Sequence, residues 1–223
     1  MSNPTTSIAP LFAWRDIETA RWRGFFETNP HALFTNTSIT YIIVLLGAIA
    51  MSGEWRHRTI TGSVLAAPDR VRLLAAKALS YSVAGVVLAL LVTVATMVVG
   101  TLILDVRGET TLGLGGLADV LWRNLAVAAL LGPLGVCVGA LLRNQIITVV
   151  VLIVMAAVLE PAVVQVAPEI GRFGPLASAP GGVLGGPDTA ELLAPGLALA
   201  ILAAWAAAAF TAAAWRLRRR DLV

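Results

Sequence analysis

Charge is scarce in this sequence. Only 13% of the 223 residues are Asp, Glu, Lys or Arg, about half the usual share of a soluble domain, so a soluble globule is a poor reading. Cysteine is nearly absent too: Cys137 is the single one and lies inside an apolar run, which excludes an intrachain disulfide and suggests a core thiol. With only His31 and His57 beside it, no metal cluster of ordinary spacing can be assembled. Lysine occurs once, at Lys77 after Ala75-Ala76, and the glycine-rich stretch 113–116 is followed by no Gly-Lys-Ser/Thr. A Walker A phosphate loop is therefore missing, and with it that route to ATP hydrolysis. No Ser/His/Asp set can be nominated on spacing, so no catalytic residue is assigned and the chain reads as a non-enzyme.

What is plentiful is apolar. Residues of the set AVILMFWYC make up 58% of the chain, mean hydropathy is +0.84, and several uncharged runs approach the ~20 residues that cross a bilayer as helix. Disorder and collagen-like repetition are excluded by the same composition. The expected fold is all-α: a polytopic membrane protein with five transmembrane helices at about 33–53, 78–104, 121–142, 146–167 and 195–215. The net charge of +3 does not indicate nucleic-acid binding, because the basic residues flank apolar runs as topology signals do.

Residues 1–32 contain no spanning run and no signal-peptide pattern. Leu11, Trp14, Trp22, Phe25 and Phe26 gather on one helical side, with Arg15 and Glu18 intruding. This suits an amphipathic helix in the membrane interface; a surface helix packed on the rest of the protein is the plainer alternative. Residues 168–194, rich in proline and glycine, read as an irregular loop that can include a short helix.

Orientation follows from the basic residues. Segments 54–77, 143–145 and 216–223 hold ten of them, against Arg107, Arg123 and Arg172 in the two opposite loops. The first group is expected to be cytoplasmic, with the C-terminus inside and residues 1–32 outside.

The segment 53–77 has a composition unlike a flexible loop. After Gly53-Glu54-Trp55-Arg56-His57-Arg58, residues Thr59 to Ala67 can form about two helical turns with Ile60, Val64 and Leu65 as apolar contacts. Pro68 ends them, and a new helix with Asp69 at its start runs into the second span. A short amphipathic helix displayed between two spans is suited to a groove on a soluble partner.

That pattern resembles the segment after the second span of ABC-2 type transporter permeases: Gly-Glu, then Arg-His-Arg-Thr-Ile, a hydrophobic turn, Ala-Pro-Asp-Arg and Ala-Ala-Lys. Gly139-Ala140-Leu141-Leu142-Arg143-Asn144-Gln145, Leu159-Glu160-Pro161, Gly171-Arg172-Phe173 and the closing Arg-Arg-Arg-Asp follow in the family's order, over residues 33–223. The resemblance implies a permease subunit in the cell membrane, paired with a second copy or sister permease and driven by a separate ABC ATPase subunit that binds ATP and Mg. It implies export of a hydrophobic or amphiphilic substrate. Under it, 59–67 is a coupling helix, and Glu54, Arg56, Arg58, Thr59, Ile60, Val64, Leu65, Pro68 and Arg70 lie at the ATPase contact; the alternative is that the arginines only set topology. Family members usually carry six spans with a cytoplasmic N-terminus, so the sequence departs by one span at its start.

Glu160 stands within the fourth apolar run, where a carboxylate near a helix centre costs roughly 2.5–3.5 kcal/mol. It reads either as a helix-end acid at the outer water boundary or as a residue of a substrate path or proton relay. Glu160 as a proton site would make the chain a proton-coupled secondary carrier; a membrane anchor or assembly subunit is a third reading. Gly135 and Gly139 form a GxxxG spacing, read as close helix packing. Trp205 is expected to pack among apolar residues and Trp215 to sit at the interface.

Overall fold

The computed structural model describes residues 37–56, 69–106, 113–185 and 193–219. All regular structure among them is helical. In chain order the helices are α1 (Thr37–Arg56), α2 (Arg70–Val106), α3 (Leu114–Leu142) and α4 (Gln145–Val154), a π-helical turn (Met155–Leu159), then α5 (Glu160–Val166), α6 (Pro168–Gly171), α7 (Ser178–Leu184) and α8 (Pro195–Arg219). The N-terminal amphipathic segment lies outside the described residues.

Four stretches are long and apolar enough to cross a membrane: Val71–Val106, Leu114–Leu142, Gln145–Val166 and Pro195–Arg219. The first expected span is represented by a shorter apolar helix, Ile39–Glu54. The second is longer than expected because Asp69 starts it early. Its carboxylate accepts from the backbone N–H groups of Val71 at 3.0 Å and Arg72 at 3.3 Å, satisfying donors that a helix start leaves open. At 1.5 Å per residue, the 37 residues of α2 reach about 55 Å, well beyond the ~30 Å hydrocarbon core.

α3 is the centre of the bundle, and glycine brings its neighbours close. A Cβ on Gly139 would stand 2.6 Å from the carbonyl oxygen of Ala48, and one on Gly135 would overlap the carbonyl of Val44. The backbones of α1 and α3 thus pack without intervening side chains, which is how helices associate where lipid removes the hydrophobic drive between them. The GxxxG spacing serves packing within this chain. Gly47 on α1 completes the contact, its added Cβ meeting the Gly132 oxygen at 2.5 Å.

Two prolines interrupt helices with different outcomes. Pro133 lies inside α3 and leaves the Ala129 carbonyl, four residues back, without its helical donor. The Ser82 hydroxyl of α2 donates to that oxygen at 2.8 Å, so the break becomes a link between helices. Pro161 follows the π turn, in which the Glu160 N–H reaches back to the Met155 carbonyl. A missing donor and a ring pressing on the preceding turn favour such local widening.

The segment read as an irregular loop with room for a short helix, 168–194, holds two short helices among its described residues. Its described part folds as α6, a turn and α7, with Leu176, Ala179, Val183 and Leu184 buried in the same core as Ile43, Leu131 and Leu202. The glycines and prolines that suggested a loop instead permit tight re-entry: a Cβ on Gly182 would be 3.0 Å from both the Ala198 side chain and the Leu193 carbonyl.

Candidate functional site

Two ends of the bundle carry its polar chemistry. At one, the end of α1 meets the starts of α2 and the ends of α3 and α8: Met51, Leu74, Val136, Cys137, Ala140, Ala213 and Leu217 form a buried cluster there. Cys137 is fully buried within it. Just beyond, the carboxylate of Glu54 pairs with the ammonium of Lys77. Both side chains are about four-fifths covered, so the pair ties α1 to α2 at the root of the segment 57–68.

Of the residues expected at an ATPase contact, Arg58, Thr59, Ile60, Val64, Leu65 and Pro68 lie outside the described residues. Arg56 closes α1 and Arg70 opens α2, so their backbones bracket the segment. Glu54 is engaged with Lys77, a partner that the sequence did not single out. A sequence signal exists: Lys77 is the lone lysine, about two helical turns into α2 from Arg70.

The same end holds the reversal between α3 and α4. Arg143 adopts a left-handed conformation, φ 57°, that costs a side-chain-bearing residue about 1–2 kcal/mol. The turn is secured on both sides. The Arg143 N–H donates to the Gly139 carbonyl at 3.0 Å, and the Asn144 side chain accepts from Ile146 and Ile147 at 3.0 and 3.2 Å, an N-cap that starts α4 at once. A guanidinium N–H of Arg216 donates to the Leu141 carbonyl at 2.6 Å, fastening α8 to the end of α3.

At the opposite end stands Glu160. It is 5% exposed and receives three backbone donors: Leu176 N–H at 2.8 Å on one oxygen, Ala177 and Ser178 N–H at 2.7 and 3.2 Å on the other. These are the amides of the turn leading into α7. The carboxylate therefore holds the re-entrant segment in place, and Gly174 gives it room, since an added Cβ there would stand 2.6 Å from the carboxyl carbon. Both carboxylate oxygens are thus occupied by backbone amides of the same chain, a structural role that the sequence did not single out.

Trp205 takes part in the same construction. It is 45% exposed, and its indole N–H donates to the Phe173 carbonyl at 2.9 Å, a polar role rather than plain packing. Arg123 braces α7 from α3, donating to the Val183 carbonyl at 3.2 Å while pairing with Asp119 at 2.7 Å. Between the π turn and α1 runs a groove of about 260 Å³, lined by Tyr41, Val44, Leu45, Leu152, Ala156 and Ala157. Its walls are almost wholly apolar. Among the described residues, no group of His, Cys, Asp and Glu is placed to hold a metal ion.

A family model for ABC-2 family transporter proteins matches residues 5–158. The chain belongs to the ABC-2 transporter family. The match begins ahead of the region in which the sequence motifs show the resemblance, taking in most of the N-terminal segment, and stops just short of Glu160. As an ABC-2 member with four long apolar helices, it is a multi-pass membrane protein. No curated protein and no solved structure matches the chain.

Proposed function

We propose that this chain is the permease subunit of an ATP-driven exporter, working beside a second permease copy or sister subunit. In this reading α1 is a fifth span, the end bearing Glu54, Lys77, Arg143 and Arg216 faces the cytoplasm, and 57–68 docks on a separate ATPase subunit. Family membership supports the transport role. The single observation that supports the coupling role is the Glu54–Lys77 pair: it joins the two helices that bracket 57–68, so a push on that segment would move α1 and α2 together. α1 is in turn packed backbone to backbone on α3, which carries the motion into the bundle. Such rigid-body transmission is how packed helices switch between discrete arrangements.

The apolar groove between α1 and the π turn supports a hydrophobic or amphiphilic substrate. A proton-coupled carrier would need Glu160 free to exchange protons with a route, whereas its oxygens are engaged by three amides. An anchor or assembly subunit that only recruits a partner would give no transport.

The test is Arg58→Glu with Arg70→Glu in the chain co-expressed with its ATPase subunit. The variant should reach the membrane in normal amount while the ATPase no longer co-purifies and ATP-dependent transport is lost. Unchanged co-purification, or transport that persists without ATP on a proton gradient alone, would overturn the proposal.

A further inference from the structure

The end of α8 carries a feature that the coupling role does not use. Ala212, Trp215, Arg216 and Arg219 follow the i, i+3, i+4, i+7 spacing of one helix face, and with Leu141 of α3 they line a cleft between the two helix ends. Arg216 commits one guanidinium N–H to the Leu141 carbonyl. Arg219 lies over the Trp215 ring, 4.2 Å from its centroid, so its face is stacked and its edge remains for hydrogen bonding. Among the described residues neither arginine forms an ion pair. Glu54 is taken up by Lys77, and Asp69 caps α2.

We infer that this cleft binds the phosphate of an anionic phospholipid from the adjoining leaflet. Two guanidinium edges on neighbouring turns match the planar, multi-donor recognition that phosphate oxygens favour. The remaining walls, Leu141, Ala212 and the 57% exposed Trp215, suit the glycerol and first methylenes below the headgroup. Tryptophan at this level belongs to the membrane interface, and basic pockets between helix ends take anionic headgroups. A free phosphate would gain nothing from those walls. The bound lipid would bridge α3 and α8 across the cleft, adding to the Arg216–Leu141 bond. The inference rests on the membrane-embedded bundle and not on the ATPase reading, so each can fail without the other.

Native mass spectrometry of the full chain released from micelles, after equilibration with phosphatidylglycerol or with phosphatidylcholine, reads the site. The chain should retain phosphatidylglycerol in preference to phosphatidylcholine. Retention should drop about fivefold for each guanidinium removed, as expected from about 1 kcal/mol per basic residue near a lipid surface, so Arg216→Gln with Arg219→Gln should lose about 25-fold. Arg216→Lys, which keeps the charge but loses the planar fork, should fall between the parent and Arg216→Gln, and Arg172→Gln at the other end should change nothing. Because Arg216 also holds α3, Arg219→Gln alone is the decisive variant: its side chain is exposed and makes no described backbone contact. Equal retention of the two lipids, or undiminished phosphatidylglycerol binding by Arg219→Gln, would overturn the inference. Displacement by inorganic phosphate at the same concentration as the lipid would also overturn it, marking a site for free phosphate.

Discussion

Removing the carboxylate of Glu160 should release the re-entrant segment from the rest of the bundle. Three backbone amides converge on it, at 2.7–3.2 Å; two of these bonds are buried and the Ala177 bond is partly so. A buried donor left without a partner costs about 1–3 kcal/mol. Glu160→Ala orphans two such donors fully and a third in part, which amounts to about 3–5 kcal/mol after allowance for local relaxation. Glu160→Gln is milder and more informative. With its carbonyl oxygen at the position that serves Ala177 and Ser178, it turns its NH₂ toward the Leu176 N–H, donor against donor, for a loss of about 1–3 kcal/mol. Amide hydrogen exchange in micelles reports both. Protection at Leu176, Ala177 and Ser178 should fall by about 10²–10³ or slightly more in Glu160→Ala, at 1.4 kcal/mol per factor of ten, and by about 5- to 100-fold in Glu160→Gln. The Trp205–Phe173 bond offers a second reporter, since tryptophan emission should shift as the turn loosens. If Glu160→Ala exchanges these amides as slowly as the parent chain, the carboxylate does not hold the segment and the reasoning is wrong.

Other substitutions probe the same scaffold. Gly139→Leu should prevent the α1–α3 approach, where even a methyl group would sit 2.6 Å from the Ala48 carbonyl; loss of the folded chain on size-exclusion in detergent checks this, and a monodisperse stable variant contradicts it. Ser82→Ala should cost about 0.6 kcal/mol and at most about 1.7, the average and the upper value for interhelical hydrogen bonds in membranes, and should cost nearly nothing when Pro133→Ala restores the Ala129 carbonyl's own helical donor; equilibrium unfolding of the double-mutant cycle decides. Lys77→Glu should destabilise the α1–α2 root by about 1 kcal/mol or more through like-charge repulsion with Glu54, and Glu54→Lys in the same chain should recover it. Failure of the charge swap to recover thermal stability would show that the pair adds little.

Much of the fold was legible because uncharged length is a strong signal in a bilayer. The stretches at 78–104, 121–142, 146–167 and 195–215 all coincide with long apolar helices, and the start of α2 at Asp69 follows from ordinary capping chemistry. What was not legible was tertiary. Proline and glycine between 171 and 185 predict irregular backbone, yet a turn that finds a buried acceptor can be drawn into the core, and nothing local reveals that Glu160 supplies it from 16 residues away. Glu160 illustrates the wider point. A lone acid in an apolar run signals cost, but whether that cost is offset by solvent, substrate or backbone amides depends on what folds against it. The Glu54–Lys77 pair was hidden for a similar reason, being 23 positions apart in sequence. The glycines of α3 were readable as packing residues, though not which helix they would meet.

Coupling to an ATPase requires the segment between α1 and α2 to face the cytoplasm. With Cys137→Ser as background, Ser63→Cys can be treated with a membrane-impermeant maleimide in intact cells and in inverted membrane vesicles. Labelling is expected in the vesicles and not in intact cells. Labelling of Ser63→Cys from outside intact cells would contradict coupling through this segment.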